Sequence, residues 1–204
     1  MSATAERRTE KTVTVNEAAF AAGVSVKTVN QAIDRKHIRT RELRRATDRA
    51  SRGIGASDVV YLAVSHVLAP EVRAKLHRSF RGRSLAELPR QFQTGVVVLD
   101  LENAIREVEA RLELLAKIDE RIETAPDVRG GEPVFRGTRT PVFAIARKVE
   151  LGSTVEELEE DYPHLQPADL ELATQYARLY PRRGRPRAEW TRGLKRLSRD
   201  PVPD

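Results

Sequence analysis

The sequence contains no cysteine, one methionine and one tryptophan, and its aromatic residues together make up only 5% of the chain. Without cysteine there are no disulfides and no thiolate metal sites, which is typical of proteins in a reducing compartment. No apolar run is as long as a membrane span, and the N-terminus has no apolar signal core. These absences predict a cytoplasmic protein with aliphatic cores and no membrane association.

Charge is divided unevenly along the 204 residues. Residues 1–93 contain 18 Lys/Arg against 9 Asp/Glu, residues 94–181 contain 10 against 18, and residues 182–204 contain 8 against 3. A basic surface suits a polyanion such as nucleic acid, whereas an acidic surface repels it. We therefore expect nucleic-acid contact from the first and last segments and not from the middle one.

The segment from Val15 to Ile33 has the pattern of two short helices joined by a tight turn. Asn16 and Ser25 are candidate N-caps, and Gly23 suits the left-handed residue that ends the first helix. This pattern resembles the winged helix-turn-helix of the MerR and excisionase families. The resemblance implies that Ser25–Arg35 is a recognition helix, which enters the major groove of DNA.

In this interpretation the polar residues of the recognition helix and the basic segment after it contact base edges or phosphates. These residues are Lys27, Thr28, Asn30, Gln31, Arg35, Arg39, Arg41, Arg44 and Arg45. The basic segment ends at Gly53-Ile54-Gly55, a pattern typical of a wing hairpin that carries phosphate-contacting arginines. The alternative is that these side chains form a solvated polar surface that binds nothing.

A strand is predicted over Gly95–Leu99, followed by a long helix with Asp100 as its cap. The apolar residues of the helix are spaced four, three, four and three, as Leu101, Ile105, Val108, Leu112 and Leu115. This heptad spacing indicates either a dimer seam or docking of the helix on its own domain. A homodimer is also expected because helix-turn-helix proteins usually read two half-sites.

Residues 122–177 carry the most specific pattern, with Gly137-Thr138-Arg139-Thr140-Pro141 and Tyr162-Pro163-His164-Leu165 as its clearest parts. Their order and spacing resemble the bacterial domain-of-unknown-function family four-three-three, whose members are antitoxin components. Together with the N-terminal pattern, the chain resembles a VapB-type antitoxin. This resemblance implies a PIN-like ribonuclease toxin as the partner.

Within this stretch, glycines are expected to punctuate a short hairpin with Val134-Phe135 as its buried rung. Three short helices are predicted, over Val142 to Leu151, over Thr154 to Tyr162 and from Pro167 onward. Their exposed side chains are largely acidic, so we expect them to serve dimerisation or toxin docking rather than DNA binding. Arg136 and Arg139 on the hairpin remain candidate anion contacts.

The tail after Tyr180-Pro181 is rich in arginine, and its single tryptophan begins an apolar stripe on a short basic helix. The resemblance to VapB implies that an arginine of the tail pairs with the metal-binding carboxylates of the toxin. The candidate toxin-binding residues are Arg182, Arg183, Arg185, Arg187, Trp190, Arg192, Leu194 and Leu197. The tail also matches the core of an AT-hook, which binds the minor groove, and the remaining alternative is a disordered tail that only aids solubility.

The sequence thus predicts a mainly α fold with short β hairpins, made of a winged helix-turn-helix domain and a small three-helix, helix-turn-helix-like C-terminal domain. The expected organisation is a disordered segment (1–12), the DNA-binding domain (13–93), a connecting strand and helix (94–121), the antitoxin-family domain (122–181) and the toxin-binding tail (182–204).

The expected function is that of a cytoplasmic, nucleoid-associated antitoxin that inhibits a PIN-like ribonuclease and represses its operon at double-stranded promoter DNA. The alternative is a stand-alone DNA-binding transcription regulator with an AT-hook tail. The four histidines are scattered and no catalytic grouping emerges from the sequence, so neither enzymatic activity nor a cofactor nor a metal is expected.

Overall fold

The computed structural model of the protein describes residues 12–43, 51–124 and 130–182. It is mostly helical with short antiparallel strand pairs, as predicted. The strands are β1 Thr12–Val13, β2 Thr40–Leu43, β3 Ser51–Gly55, β4 Gln91–Thr94, β5 Val97–Asp100, β6 Ile122–Glu123 and β7 Val134–Phe135. The helices are α1 Val15–Ala22, α2 Val26–Asp34, α3 Ala56–Ser65, α4 Pro70–Phe80, α5 Glu102–Arg121, α6 Val142–Glu150, α7 Val155–Asp161 and α8 Pro167–Leu179.

Helices α1 and α2 are joined by the short turn that the sequence predicts. Gly23 adopts the left-handed conformation with φ of 67°, and Ser25 Oγ accepts a backbone N–H of α2 at 3.1 Å. The N-cap of α1 is Thr14 and not Asn16, because Thr14 and Glu17 form a reciprocal capping box. Asn16 lies inside the helix, so its predicted capping role is wrong.

The basic segment after α2 runs into an antiparallel pair of strands. Strand β3 lies in the centre of a three-stranded sheet, with β1 on one side and β2 on the other. Gly53 lies opposite Arg41, and a Cβ added at Gly53 would lie 2.4 Å from Cγ2 of Thr12. A larger residue at position 53 would have to displace the Thr12 side chain, so the close approach of β1 favours glycine here.

Helix α3 begins directly after β3. Gly55 is its N-cap, and Asp58 lies in the first turn. Residues Val59, Val60 and Leu62 of this helix are fully buried behind α1. Helix α4 follows with Pro70 in its first turn, where proline costs no hydrogen bond.

A hairpin precedes α5, where the sequence predicted only one strand. Strands β4 and β5 pair about a turn at Gly95, whose φ is 59°. The first strand, Gln91–Thr94, was not predicted. Asp100 Oδ1 accepts the backbone N–H of Glu102 at 2.9 Å, which is the expected role of that residue at the start of α5.

The heptad-spaced residues of α5 are buried inside the chain. Leu101, Ile105, Val108, Leu112 and Leu115 are at most 5% exposed and pack in one core with α1 and α3. The structure therefore shows the second of the two alternatives, docking of the helix on its own domain. Ile118, one step further along the same stripe, belongs to a second core.

This second core lies between the end of α5 and helices α6, α7 and α8. Val134 and Phe135 are fully buried, as predicted. However, β7 pairs with β6, because the chain becomes extended directly after α5 and presents an edge to β7. We call the part of the molecule around the first core the first domain and the part around the second core the second domain. In the described ranges, no helix is long and apolar enough to cross a membrane.

Candidate nucleic-acid interface

Helix α2 has two distinct sides. Val29 and Ala32 face the first core, whereas Lys27 and Gln31 are exposed. Because residues four apart share one face of a helix, Lys27, Gln31 and the capping residue Arg35 form a continuous exposed line. We call these three residues the α2 row.

The remaining predicted residues of α2 are less exposed to solvent. Thr28 is half-buried, and its hydroxyl lies 2.9 Å from that of Ser25 in the helix cap. Asn30 is half-buried and flanks the row, and the exposed Asp34 is an acidic residue on the same helix. The exposed cations of this helix and its C-cap are therefore Lys27 and Arg35 of the α2 row.

Strand β2 continues the basic surface. Arg39 precedes the strand and Arg41 lies within it, and both are exposed. Side chains two residues apart on an extended chain point to the same side, so these two arginines project together. The other two predicted residues of this segment, Arg44 and Arg45, lie outside the described residues.

Two histidines near this surface have lowered pKa values, in part because arginines lie close to them. Burial lowers the pKa of the His37 imidazole, and the positive charges of Arg73 and Arg35 lower it further. Burial also lowers the pKa of His77, together with the charges of Arg81, His37 and Arg39. Arginines from the end of α2, the start of β2 and helix α4 thus converge on one region.

Sequence reasoning missed the contribution of α4. Arg73 of α4 and Arg81 directly after it were not among the predicted contacts, although Arg73, Lys75, Arg78 and Arg81 make this segment basic. Two concavities lie beside this helix. The α2 groove, of about 250 Å³, contains Thr28, Gln31 and Arg35, and the α4 pocket, of about 490 Å³, contains Tyr61, Arg73 and His77. His37 and Arg73 line both of them.

The second domain presents a different surface. Glu156, Glu159 and Glu160 of α7 are exposed, as is Glu171 of α8. Arg136 was a candidate anion contact, but its guanidinium Nε donates to the backbone carbonyl of Glu120 at 2.7 Å. Its side chain therefore closes the C-terminal end of α5.

One buried ion pair of the second domain has no counterpart among the predicted contacts. Arg121 donates from Nε and Nη2 to the two carboxylate oxygens of Asp169, both at 2.7 Å. Burial alone would raise the pKa of Asp169, but hydrogen bonds from Arg121 and from the Gln166 backbone outweigh it and lower the pKa. The sequence does not indicate this pair, because the two partners are 48 residues apart.

Of the predicted toxin-binding residues, the structure describes only the first. The guanidinium of Arg182 lies 4.5 Å from the ring centre of Phe143 and pairs with the carboxylate of Glu132. Arg182 therefore holds the start of the tail on the second domain. The other seven lie outside the described residues: Arg183, Arg185, Arg187, Trp190, Arg192, Leu194 and Leu197.

The second domain coincides with a known protein family. Residues 122–177 match the model of the family described as protein of unknown function (DUF433). The uncharacterized protein y4eO of Sinorhizobium fredii is 33% identical over 184 residues, which cover 84% of this chain and 83% of that protein. This chain belongs to the DUF433 family.

Two solved structures resemble this DUF433 protein. A DUF433 member protein from Anabaena variabilis is 27% identical, with coverage of 48% of this chain and 81% of that one and a TM-score of 0.29. Rv2018 from Mycobacterium tuberculosis is 16% identical, with coverage of 79% and 96% and a TM-score of 0.35.

Proposed function

We propose that this protein is a DNA-binding antitoxin that represses its own promoter and inhibits a PIN-like ribonuclease. The observation that carries the proposal is the α2 row, an exposed line of Lys27, Gln31 and Arg35 that Arg39 and Arg41 extend. DNA binding gives a role to the exposed Lys27, Arg35, Arg39 and Arg41, which outnumber the exposed Asp34 and Glu42 of the same elements. Toxin inhibition rests on the resemblance of the chain to VapB-type antitoxins and on its arginine-rich tail.

The shape of the basic surface supports DNA as the polyanion. A single α-helix fits the major groove of B-DNA, and there an amide side chain such as Gln31 can pair with adenine. The β2–β3 pair follows the α1–α2 pair directly, which is the order of elements in a winged helix-turn-helix. In this arrangement Gln31 reads the bases, and Lys27, Arg35, Arg39 and Arg41 contact phosphates.

The different roles proposed for the two domains follow from their charges. The acidic face of α7 and α8 is repelled by phosphates, so the second domain lies away from the duplex. Its role is to hold the tail, which starts at Arg182 against Phe143 and Glu132. In the proposed complex the residues after Arg182 reach the carboxylate cluster of the toxin.

DNA binding is tested by gel shift with the upstream region of the gene at several salt concentrations. Lys27→Ala/Arg35→Ala should weaken binding by more than tenfold and reduce the slope of log affinity against log salt by about 1 to 2, at about 0.9 per lost phosphate contact. The matched control is Arg147→Ala/Arg178→Ala, which removes the same charge from exposed positions of the second domain. Equal effects of the two double variants would contradict the proposed interface.

Base reading is tested separately. Gln31→Ala should reduce discrimination between operator and unrelated duplex by about 1 to 3 kcal/mol while leaving the salt slope unchanged. A uniform loss of affinity for both duplexes would indicate that Gln31 contacts only the backbone.

Toxin inhibition is tested by co-expression with the neighbouring open reading frame. The proposal expects that frame to be toxic alone, full-length antitoxin to restore growth, and a chain truncated after Arg182 to fail while still binding DNA. A harmless neighbour, or full rescue by the truncated chain, would contradict the antitoxin role. Loss of affinity for A·T-rich DNA on truncation, with no toxin present, would favour the alternative of a regulator with an AT-hook tail.

A further inference from the structure

The β4–β5 hairpin exposes apolar side chains at its tip. Val96 in the turn is 100% exposed, and it is followed in β5 by Val97, which is 37% exposed, and Val98, which is 58% exposed. None of the residues from Gln91 to Leu99 is charged, in a chain of which 32% is charged. Neighbouring exposed apolar residues of this kind are typical of an interaction surface, whereas single ones are common on any protein.

The outer edge of β5 is open. Within the described residues, β4 and β5 form a sheet of only two strands. The backbone N–H of Leu101 donates to the carbonyl of Arg90 at 2.8 Å, and these two residues continue the register of the hairpin by one step. Because hydrogen-bonded pairs alternate along antiparallel strands, Val98 and Gln93 form a non-hydrogen-bonded pair. The backbone N–H and C=O of Val98 therefore point away from β4, towards the outer edge.

A second copy of the chain matches this edge. Two copies related by a two-fold axis present the same patch to each other, so their β5 strands run antiparallel. With the axis at Val98, its outward backbone groups pair with those of the second copy's Val98. Val97 shares its side of the hairpin with Leu99, which packs against the first core, and in this pairing Val97 lies beside the second copy's Leu99. Asp100 lies beside the second copy's Val96, so no like charges meet.

Charge favours a second copy over other occupants of the hairpin. The α2 row is positive and the exposed face of α7 is negative, so each of these surfaces would repel its own copy. The hairpin from Gln91 to Leu99 carries no charge and can meet itself without repulsion. It also provides no cation for the phosphates of DNA or for the carboxylates of an acidic protein.

We infer that two copies of this chain pair through β5 and form a four-stranded sheet of order β4-β5-β5-β4. Natural proteins commonly block an open edge with lysine or proline, and β5 contains neither. Two strands of four residues bury only a small area, so the dimer is a weak one. This inference does not depend on DNA binding or on toxin inhibition.

Analytical ultracentrifugation of the full-length protein tests the pairing. The wild type should show a monomer–dimer equilibrium with a dissociation constant of about 100 μM or tighter. Val98→Lys and Val98→Glu should each weaken the dimer by more than about tenfold, because like charges then lie side by side at the axis. An equal mixture of the two variants should restore the dimer, because opposite charges then meet there.

The matched control is Val67→Lys, at a valine of the first domain that is 73% exposed, and it should dimerise as the wild type does. A monomeric wild type would overturn the inference and leave the hairpin to another partner. A dimer that both Val98 variants retain, or a mixture of the two that stays monomeric, would also overturn it.

The absence of cysteine from the chain allows a second measurement that adds no charge. Val98→Cys introduces a single thiol, and the Cα atoms of a hydrogen-bonded antiparallel pair lie about 5.5 Å apart, a distance that a disulfide can span. Mild oxidation should therefore convert Val98→Cys to a covalent dimer at least about tenfold faster than the control Val67→Cys, because pairing holds the two thiols together. Equal rates for the two variants would overturn the inference.

Discussion

The first and second domains share helix α5 but present opposite surfaces. Residues from Leu101 to Leu115 complete the first core, and Ile118 belongs to the second. The first domain exposes the α2 row and the arginines of β2, whereas the second exposes the glutamates of α7. The two domains therefore differ in the charge of the helices that they expose, and by charge alone the first suits a polyanion better than the second.

The shared helix makes the stability of the two domains interdependent. Leu62→Ala in the first core and Phe135→Ala in the second should each cost about 3 to 5 kcal/mol of unfolding free energy, because both side chains are fully buried. Since α5 serves both cores, either substitution should shift one cooperative urea transition, measured by circular dichroism and by amide NMR signals from both domains. Two separate transitions, with only the altered domain destabilised, would show that the domains fold independently.

The Arg121–Asp169 ion pair allows the second domain to be perturbed separately, because it joins only α5 and α8. Asp169→Asn should cost about 1 to 3 kcal/mol, since it weakens a bidentate charged contact of a buried carboxylate. The folded-state pKa of Asp169 is lowered. The contribution of the pair is therefore complete above the unfolded carboxyl pKa of about 4 and is lost as the pH falls through the lower folded value.

This prediction is checked by urea denaturation at a series of pH values. The difference in unfolding free energy between the wild type and Asp169→Asn should be constant near neutrality and shrink below about pH 4. A difference that persists at full size in acid would indicate that the asparagine disturbs packing rather than charge.

The contact between Tyr180 and Glu17 joins the end of α8 to α1, across the two domains. The Tyr180 hydroxyl donates to the carboxylate of Glu17, which is only 1% exposed. Tyr180→Phe should cost about 1 to 2 kcal/mol, because a buried carboxylate loses a donor. A double-mutant cycle with Glu17→Gln should give a coupling energy of about 1 kcal/mol, and a value near zero would show that the two domains gain nothing from this contact.

The smallest effect on DNA affinity is expected from substitutions in the acidic face of α7. Replacing Glu156, Glu159 and Glu160 with glutamine leaves the α7 capping residue Glu157 intact. Because charges separated by more than about 8 Å are screened at physiological salt, affinity for operator DNA should change less than about twofold in a gel shift. A gain of tenfold would place the second domain against the duplex and remove the proposed difference between the two domains.

The sequence predicted well those features that depend on a few neighbouring residues. Gly23 and Ser25 set the turn between α1 and α2, and Pro167 opens α8, all as expected. Errors arose where two local signals compete within a few residues. Thr14 and Asn16 can both cap a helix, and the capping box with Glu17 decides in favour of Thr14.

Part of the candidate interface could be predicted because it also depends on residues that are close together in the sequence. Lys27, Gln31 and Arg35 follow from helical spacing within a single element, so a periodic pattern is enough to place them on one face. The contribution of Arg73 and Arg81 did not follow, because they approach His37 and His77 only after α4 has packed beside α2 and α3.

The sequence by itself determined the turn between α1 and α2, the apolar stripe of α5 and the division of charge between the domains, because each of these depends on residue type and short spacing. Tertiary structure alone decided that the α5 stripe packs on its own chain, that β7 pairs with β6, and that Arg121 meets Asp169. These contacts join residues far apart in the chain, where many partners have the right chemistry. Only the folded geometry selects among them.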